Sequence, residues 1–339
     1  MQSAGLTNDT SSRFPRAACS ADIRRNRHVA IDRIDDLILD ILRREARISN
    51  SRLAERVNLS ASAVYERVRR LERNRYILGY QARLCREKLG MKVIAFIEVK
   101  IERVSPDVMH RFQRAVSESP CILECHMVAG AFDYLLKVLV PDFRSCEEVG
   151  REIGELPGVK EVRMHGNTPS SERADLRENH SDCARPLIDD IDKRLLRLLQ
   201  ESGRLNGAQL AIEMRRSTHE VRERLSRLCR QGFIRDYVAV LNEGKLKTRL
   251  LVCAYASIRA SRSPTGVSQA LNLLASTCPE IVEWHAVAGN FDYLIKTRVP
   301  TLSRHQEIVT TRLWTVPGVH EIQTFACLAQ VKNTERLPL

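Results

Sequence analysis

Residues 32–45 carry apolar side chains at spacings of three and four, which is the period of an amphipathic helix. The stripe consists of Ile34, Leu37, Ile38, Ile41 and Leu42. Asp32 stands where its side chain can cap the helix N-terminus, and further acids follow in the first turn. The pattern therefore predicts a capped helix that buries one face.

Two more helices are predicted after it, one over residues 51–57 and one that starts at Ser60 after a tight turn. The third helix is apolar on one face, at Val64, Val68 and Leu71. Two short strands, 77–80 and 81–84, are predicted next. Because three helices followed by a small hairpin form a winged helix-turn-helix, we predict that fold for residues 32–84.

Residues 85–165 mix the strand period and the helix period. The predicted elements are a strand 93–101, a helix 106–118, strands 122–127 and 134–140, a helix 143–156 and a strand 159–164. The order β-α-β-β-α-β is that of a ferredoxin-like sandwich. One face of its sheet lacks helices and needs a cover, which a second copy in the same chain could supply.

The second half of the sequence repeats the first half. The phrase from Glu124 to Lys137 returns from Glu283 to Lys296, and both copies contain Val-Ala-Gly-x-Phe-Asp-Tyr-Leu. In the first module, Asp35 matches Asp192 with a spacing of 157 residues. A nearly constant spacing indicates a duplicated unit. We therefore predict an α+β protein with two copies of a winged helix-turn-helix plus a ferredoxin-like βαββαβ sandwich.

The predicted domains follow from these patterns. They are a disordered basic tail 1–31, helix-turn-helix modules 32–84 and 188–241, sandwiches 85–165 and 242–333, and a linker 166–187 rich in Ser, Asn, Asp and Arg.

The positive charge of the chain is concentrated in particular modules. The sequence has 54 basic and 42 acidic residues, a net charge of +12. Residues 32–84 hold twelve Lys and Arg against eight acids and residues 189–241 hold eleven against eight, whereas residues 85–165 hold twelve against thirteen. A basic excess in one kind of module indicates a polyanionic partner. The alternative is a solvated arginine-rich helix face.

The third helix of each copy carries the candidate DNA contacts, because an exposed arginine can neutralise phosphates or donate two hydrogen bonds to guanine. In the first copy the candidates are Ser62, Tyr65, Arg67, Arg69, Arg70 and Arg73. In the second copy they are Thr218, His219, Arg222, Arg224 and Arg227. Residues near the start of such a helix usually reach the base edges. Since the two sets differ, we predict binding to double-stranded DNA at two different half-sites.

The Gly-x-Phe-Asp-Tyr phrase falls in the loop between the two middle strands of each sandwich. Gly130 and Gly289 permit positive φ and a close approach of backbone to a ligand. Asp133 and Asp292 place a carboxylate where it could pair with an ammonium group. The alternative is a hairpin whose aspartate caps its own turn.

Composition excludes several classes of protein. Hydrophobic content of 43% indicates a globular core. The longest apolar runs are too short to cross a bilayer, and the N-terminus lacks a secretory signal, so we predict a cytoplasmic protein with no membrane partner.

Cys121, Cys125 and the adjacent His126 give a weak indication of metal binding. Buried thiols in a reducing compartment explain the ten cysteines better, and we predict no metal and no cofactor.

Several segments resemble the Lrp/AsnC (leucine-responsive regulatory protein) family of transcription regulators. The matching segments are residues 32–42, 47–50, 67–72 and 124–137, with residues 292–300 and 317–319 in the second half. The resemblance covers about residues 32–165 and 188–333. It implies a winged helix for DNA and a sandwich that forms oligomers and binds a small effector, commonly an amino acid, between subunits.

On this resemblance the effector residues are those of the loop, namely Gly289, Asn290, Phe291 and Asp292, with Gly130 and Asp133 in the first half. Ala131 stands where the family usually has a polar residue, so the second half is expected to bind the effector in preference to the first. Ordinary members carry one copy, so this chain could act as its own dimer within a homo-oligomer.

A related branch with the same layout decarboxylates siroheme, sometimes as a fused pair, and this is the enzyme alternative. It would need His and Arg side chains gathered in the sandwich. His126 and His285 match each other, but the sandwich has no His-rich insertion and the arginine-rich third helices are intact. We therefore predict a regulator without enzymatic activity. Ultraviolet-visible spectra of the protein mixed with siroheme distinguish the two.

Overall fold

The structure is a computed structural model. It describes residues 31–102, 105–167, 188–242, 244–246, 252–261 and 264–339. The predicted tail except residue 31, and the predicted linker except residues 166–167, lie outside the described residues.

The first half consists of α1 (Arg33–Leu42), α2 (Asn50–Val57), α3 (Ala61–Arg73), β1 (Ile77–Leu84), β2 (Val93–Ile101), α4 (Pro106–Glu118), β3 (Ile122–Ala129), β4 (Tyr134–Val140), α5 (Phe143–Gly154) and β5 (Val159–Asn167). The second half repeats the order with α6 (Asp190–Glu201), α7 (Gly207–Met214), α8 (Thr218–Arg230), β6 (Ile234–Leu241), β7 (Val252–Ala260), α9 (Pro264–Thr277), β8 (Ile281–Ala288), β9 (Tyr293–Val299), α10 (Leu302–Ile308) and β10 (Val319–Asn333). A π-helical turn, Val309–Leu313, continues α10.

Polar caps start the helices where the sequence predicts them. Asp32 accepts a hydrogen bond from the Asp35 backbone N–H at 2.8 Å, and Asp35 accepts one from the Asp32 N–H at 3.2 Å. Asp189 and Asp192 form the same capping box with the same two distances. Such reciprocal bonds satisfy two backbone donors that have no partner inside the helix.

The predicted hairpin after each third helix is wrong. Residues 77–84 form the single strand β1, and its partner is β6 of the other half, with Tyr80 opposite Ala239 in an antiparallel pair. A hairpin would need turn residues between Tyr80 and Gln81, and the sequence has none there. The two helix-turn-helix units are therefore joined by one two-stranded sheet.

The sandwiches also join each other. Their strands pair in the orders β3-β4-β2-β5 and β8-β9-β7-β10, and the two sheets close into one barrel. Gly166 of β5 lies opposite Ala288 of β8, and Ala326 of β10 lies opposite Ala129 of β3. The second copy thus covers the helix-free face of the first, as predicted.

Alternation along the strands builds separate cores on the two faces of each sheet. On the outer face of the first sheet, Ile97 packs in one cluster with Phe112 of α4 and Ile153 of α5. Its neighbour Phe96 faces the barrel interior and packs in a cluster with Tyr255 of the second half. The interior is therefore shared by both copies. In the described part of the chain, no helix combines the length and apolar character needed to cross a membrane.

Candidate DNA interface and effector cavity

One stripe of exposed side chains runs along each third helix at spacings of three and four residues. In α3 it consists of Ser62, Tyr65, Glu66, Arg69 and Arg73. The equivalent stripe of α8 consists of His219, Arg222, Glu223, Ser226 and Arg230. The opposite face of each helix is buried in its own core. Each third helix therefore presents one free face, and three of the five positions differ between the copies.

Two predicted DNA contacts of α3 have other partners. Arg67 Nη1 lies 2.7 Å from Asp32 Oδ2 and 2.9 Å from Asp35 Oδ1, and Arg70 Nη2 lies 2.7 Å from Asp35 Oδ2. The hydrogen bond from Arg67 lowers the pKa of Asp32. Asp35 is only 1% exposed. The expectation that all four arginines point outward is therefore wrong for Arg67 and Arg70, which hold α3 against α1.

The second half repeats this arrangement. Arg224 Nη1 lies 2.6 Å from Asp189 and 3.0 Å from Asp192, and Arg227 Nη2 lies 2.5 Å from Asp192. Thr218, at the start of α8, is half-buried. The sequence signal for these ion pairs was available, because two aspartates and two arginines recur with one spacing in both copies. The sequence prediction of DNA contacts also missed Ser226, the counterpart of Arg69.

Stacked arginines connect the two helix-turn-helix units beside the β1–β6 sheet. The Arg47 guanidinium lies 3.6 Å from the ring centre of Tyr237, and Arg204 lies 3.6 Å from that of Tyr80. Arg47 Nε also donates to the Gly203 carbonyl at 3.0 Å. Burial raises the pKa of Tyr237 to about 12. These symmetric contacts hold the two helix-turn-helix units at a set separation. The exposed stripes of α3 and α8 are therefore also held at a set separation.

The two Gly-x-Phe-Asp-Tyr loops are held by their aspartates. Asp133 Oδ2 accepts a hydrogen bond from the Ile101 N–H at 2.7 Å, and Asp292 Oδ2 accepts one from the Ala260 N–H at 2.9 Å. Each carboxylate thus fixes its loop to the end of a neighbouring strand. This is the structural role that the sequence left open, although the partner is another strand and not the loop's own turn.

The glycines of these loops differ. Gly289 has φ of +156°, and a Cβ there would lie 2.2 Å from Nδ1 of His165. Gly130 has no positive φ, and a Cβ there would meet only Phe325 at 3.5 Å. The positive φ that glycine permits is therefore used at Gly289 and not at Gly130.

A cavity of about 170 Å³ lies where the two loops approach each other. Ala131 and Phe132 line it from the first loop, and Asn290 and Phe291 line it from the second. Strands of both sandwiches supply the other lining side chains, which are Glu98, Arg163, Ser257, Arg259, Glu321, Gln323 and Phe325. The predicted residues Gly130, Asp133, Gly289 and Asp292 lie outside this lining. Among the described residues, both loops therefore line one shared cavity, whereas the sequence suggests a separate site at each loop.

The cavity lining combines both charges with apolar surface. Arg259 Nε donates to the Asn290 carbonyl at 2.5 Å, and its Nη1 lies 3.5 Å from Glu321 Oε2. Glu98 is mostly buried, whereas Arg163 is half-exposed. Phe132 lies edge-on to Phe325 with ring centres 5.1 Å apart. Such a lining offers carboxylates for a cation, guanidinium groups for an anion and rings for an apolar group.

The ends of the repeated phrase meet inside the barrel. Lys296 Nζ lies 2.5 Å from Glu124 and 3.2 Å from Glu283, while Lys137 Nζ lies 2.6 Å from Glu283 and 3.6 Å from Glu124. Each lysine therefore bridges glutamates of both copies. The sequence indicates that this phrase is duplicated and contains a candidate effector loop, but it does not predict this four-residue ion network, which joins the two halves.

Two histidines extend the network. His126 Nε2 lies 3.0 Å from Glu124, and His285 Nε2 lies 3.2 Å from Glu283. Burial opposes ionisation of Glu124, but the hydrogen bond from His126 and the charges of the two lysines outweigh burial and lower its pKa. Burial also lowers the pKa of His285. The central glutamates are thus held as carboxylates between the two sheets.

Comparisons with known proteins agree with this architecture. The Lrp/AsnC ligand binding domain matches residues 94–166 and 253–337. The AsnC-type helix-turn-helix domain matches residues 31–72, and a winged helix-turn-helix DNA-binding domain matches residues 188–235.

Individual proteins match as well. The leucine-responsive regulatory proteins of Escherichia coli (strain K12) and Salmonella typhimurium (strain LT2) are each 44% identical over 136 residues, which is 40% of this chain and 83% of theirs. The crystal structure of the siroheme decarboxylase NirDL superposes with a TM-score of 0.63 and covers 90% of this chain and 93% of its own. At 16% identity this likeness shows the shared fold alone.

Proposed function

The chain belongs to the Lrp/AsnC family of DNA-binding transcription regulators, and on that premise we propose that it reads two different DNA half-sites and binds one amino-acid-like effector between its halves. The family assignment covers a DNA-binding regulator with a ligand-binding domain. The two exposed stripes support the half-sites, and the shared cavity supports the effector.

The observation that supports two half-sites is the difference between the stripes. Ser62, Tyr65 and Arg69 of α3 correspond to His219, Arg222 and Ser226 of α8. Different donors at the start of a reading helix favour different bases in the major groove. Arg73 and Arg230 are common to both stripes and suit phosphate contacts, which add affinity without selecting sequence. Selection of bound duplexes from a random pool tests this, with an asymmetric motif expected.

The effector proposal rests on the cavity. An amino acid carries an ammonium group and a carboxylate on one carbon, with a side chain beside them. In the cavity, Glu98 and Glu321 can pair with the ammonium group, and Arg163 and Arg259 can pair with the carboxylate. The phenyl rings can contact an apolar side chain. At about 170 Å³ it is smaller than the ~300–1,000 Å³ pockets of larger ligands. We therefore assign one small zwitterion per chain.

With the effector in this cavity, the loop aspartates have a structural role and other loop residues bind the effector. Asp292 and Asp133 shape the cavity by fixing the two loops, and Asn290, Phe291, Ala131 and Phe132 contact the effector. Since both loops line one cavity, neither half binds the effector alone. An effector that favours one arrangement of the halves changes DNA affinity by its differential binding, typically about 1–3 kcal/mol.

Calorimetry with a panel of amino acids tests the effector site. We expect one molecule bound per chain, and Arg259→Met to raise its Kd about ten- to hundred-fold, because a charge-assisted hydrogen bond contributes about 1.5–3 kcal/mol. Lys100→Met is the matched control, since Lys100 is exposed at the equivalent position of β2, outside the cavity lining. Equal binding by Arg259→Met and the wild-type chain would contradict the assignment.

We also propose that the chain acts in the cytoplasm as a homo-oligomer. Every sandwich strand is already paired on both sides within the closed barrel. Contacts between chains would therefore use helical or loop surfaces and would leave the intramolecular pairing of the halves intact.

A further inference from the structure

Three side chains that commonly bind metals meet where the two halves join. His126 belongs to β3 of the first half, and Cys253 and Cys327 belong to β7 and β10 of the second. Their donor atoms all lie within 4.8 Å of one another. We propose that His126, Cys253 and Cys327 bind one zinc ion per chain. Imidazole and thiolate ligands are typical of zinc, and three protein ligands leave one position of a tetrahedron open.

The orientation of His126 supports this proposal. Its side chain is 1% exposed, and its Nε2 is bonded to Glu124 at 3.0 Å. Its other nitrogen, Nδ1, is buried and has no hydrogen-bond partner among the described residues. A buried polar atom without a partner is costly. Metal-binding histidines usually direct their second nitrogen to a carboxylate, which is the arrangement of Glu124 and His126.

The two cysteines provide the remaining ligands and the route of entry. Both are half-buried, so a metal ion can reach them from the solvent. Zinc–sulfur bonds of 2.3 Å place two sulfurs roughly 3.8 Å apart in a tetrahedron. Donor atoms that lie within 4.8 Å of one another therefore need to approach by only roughly 1 Å to share one zinc ion.

The duplicated architecture makes the site unique among the described residues. At the other junction of the halves, Asn167 of β5 lies opposite Val287, just as Cys327 lies opposite Val128. By the register of the repeat, Ile94 corresponds to Cys253 and His285 to His126. That second junction thus has a histidine but neither thiol. Zinc would bind at one junction and connect β3 of the first half to β7 and β10 of the second.

The first experiment measures zinc in the full chain. The protein is stripped of metal, kept reduced with a phosphine, given zinc and dialysed, and zinc is then measured by elemental analysis. We expect one zinc per chain, and at least a tenfold loss of retained zinc in Cys253→Ser and in Cys327→Ser. Cys121→Ser is the matched control and should retain zinc, because Cys121 is also half-buried but lies outside the cluster.

Cobalt in place of zinc identifies the ligands. The expected result is thiolate-to-cobalt charge-transfer absorption that disappears in Cys327→Ser and persists in Cys121→Ser, with circular dichroism showing that both variants are folded. His126→Ala should lose the metal, whereas His285→Ala should keep it. Failure of the wild-type chain to retain zinc, retention unchanged by both serine substitutions, or a Cys253–Cys327 disulfide in place of metal binding would each overturn the proposal.

Discussion

Replacing Arg69 and Arg73 together with alanine should weaken DNA binding by about two orders of magnitude or more. Both side chains lie on the exposed stripe of α3, and an arginine contact to a base or phosphate is worth about 1–3 kcal/mol. The slope of log affinity against log salt is negative, and each lost arginine–phosphate contact should make it shallower by about 0.9. Fluorescence anisotropy with a labelled duplex at several salt concentrations measures affinity and slope together.

Arg70→Ala is the contrasting variant on the same helix. Arg70 pairs with the buried carboxylate of Asp35 at 2.7 Å. Its loss should lower the free energy of unfolding by about 1–3 kcal/mol, because Asp35 stays buried with one fewer partner. DNA affinity of the folded variant should fall less than in the Arg69/Arg73 double variant. Loss of affinity with unchanged thermal stability in Arg70→Ala would show that Arg70 contacts DNA directly.

Replacing Lys296 with methionine should lower the free energy of unfolding by about 3–5 kcal/mol, because removal of one member leaves buried carboxylates without their partner. Lys296 is 7% exposed and lies 2.5 Å from Glu124. Its loss leaves Glu124 with His126 and the more distant Lys137. Urea unfolding followed by circular dichroism measures the change. The substitution should also weaken the association of the two sandwiches, since Lys296 bridges glutamates of both copies.

Two further variants make this test specific. Adding Glu124→Gln to Lys296→Met should recover much of the lost stability, because the unpaired charge is then removed as well. Arg114→Ala breaks an exposed pair with Glu118 on α4 and should have no measurable effect. A Lys296→Met protein as stable as Arg114→Ala would show that the central network contributes nothing to the barrel.

Local patterns were sufficient to predict much of this fold. The apolar spacing of α1, its cap at Asp32 and the start of α3 at Ser60 follow from rules that act over one or two turns of helix. The order of strands and helices in each sandwich follows from alternation, and the covering of one sheet by the other follows from duplication. The helices and strands could be predicted because the physical cause of each element lies within the element itself, and the covering of the sheet because the whole unit is repeated.

Pairings between distant segments could not be predicted in the same way. The strand pattern of residues 77–84 indicates a strand but does not identify its partner, which lies more than 150 residues away in β6. Charged residues such as Lys296 are expected at the surface, so their burial depends on a neighbouring sheet that alternation does not reveal. Arg70 and Arg69 are adjacent on α3, and only the position of Asp35 on another helix distinguishes their roles.

The cavity illustrates the same limit. The sequence indicates Asp133 and Asp292 as effector ligands, since a carboxylate in a glycine-containing loop suits an ammonium group. In the structure, both carboxylates accept hydrogen bonds from backbone N–H groups. The charged lining comes from positions such as Glu98 and Arg259, which have no motif around them. Their joint position follows from closure of the barrel and not from the local sequence.

One chain that presents two unlike reading helices at a set separation should select an asymmetric DNA motif with two unlike half-sites. Selection of bound duplexes from a random pool, followed by sequencing, measures this motif. Replacement of Ser62, Tyr65 and Arg69 by the α8 residues His, Arg and Ser should convert the motif to a palindrome. A palindromic motif selected by the unaltered chain would show that the two helices do not read different half-sites.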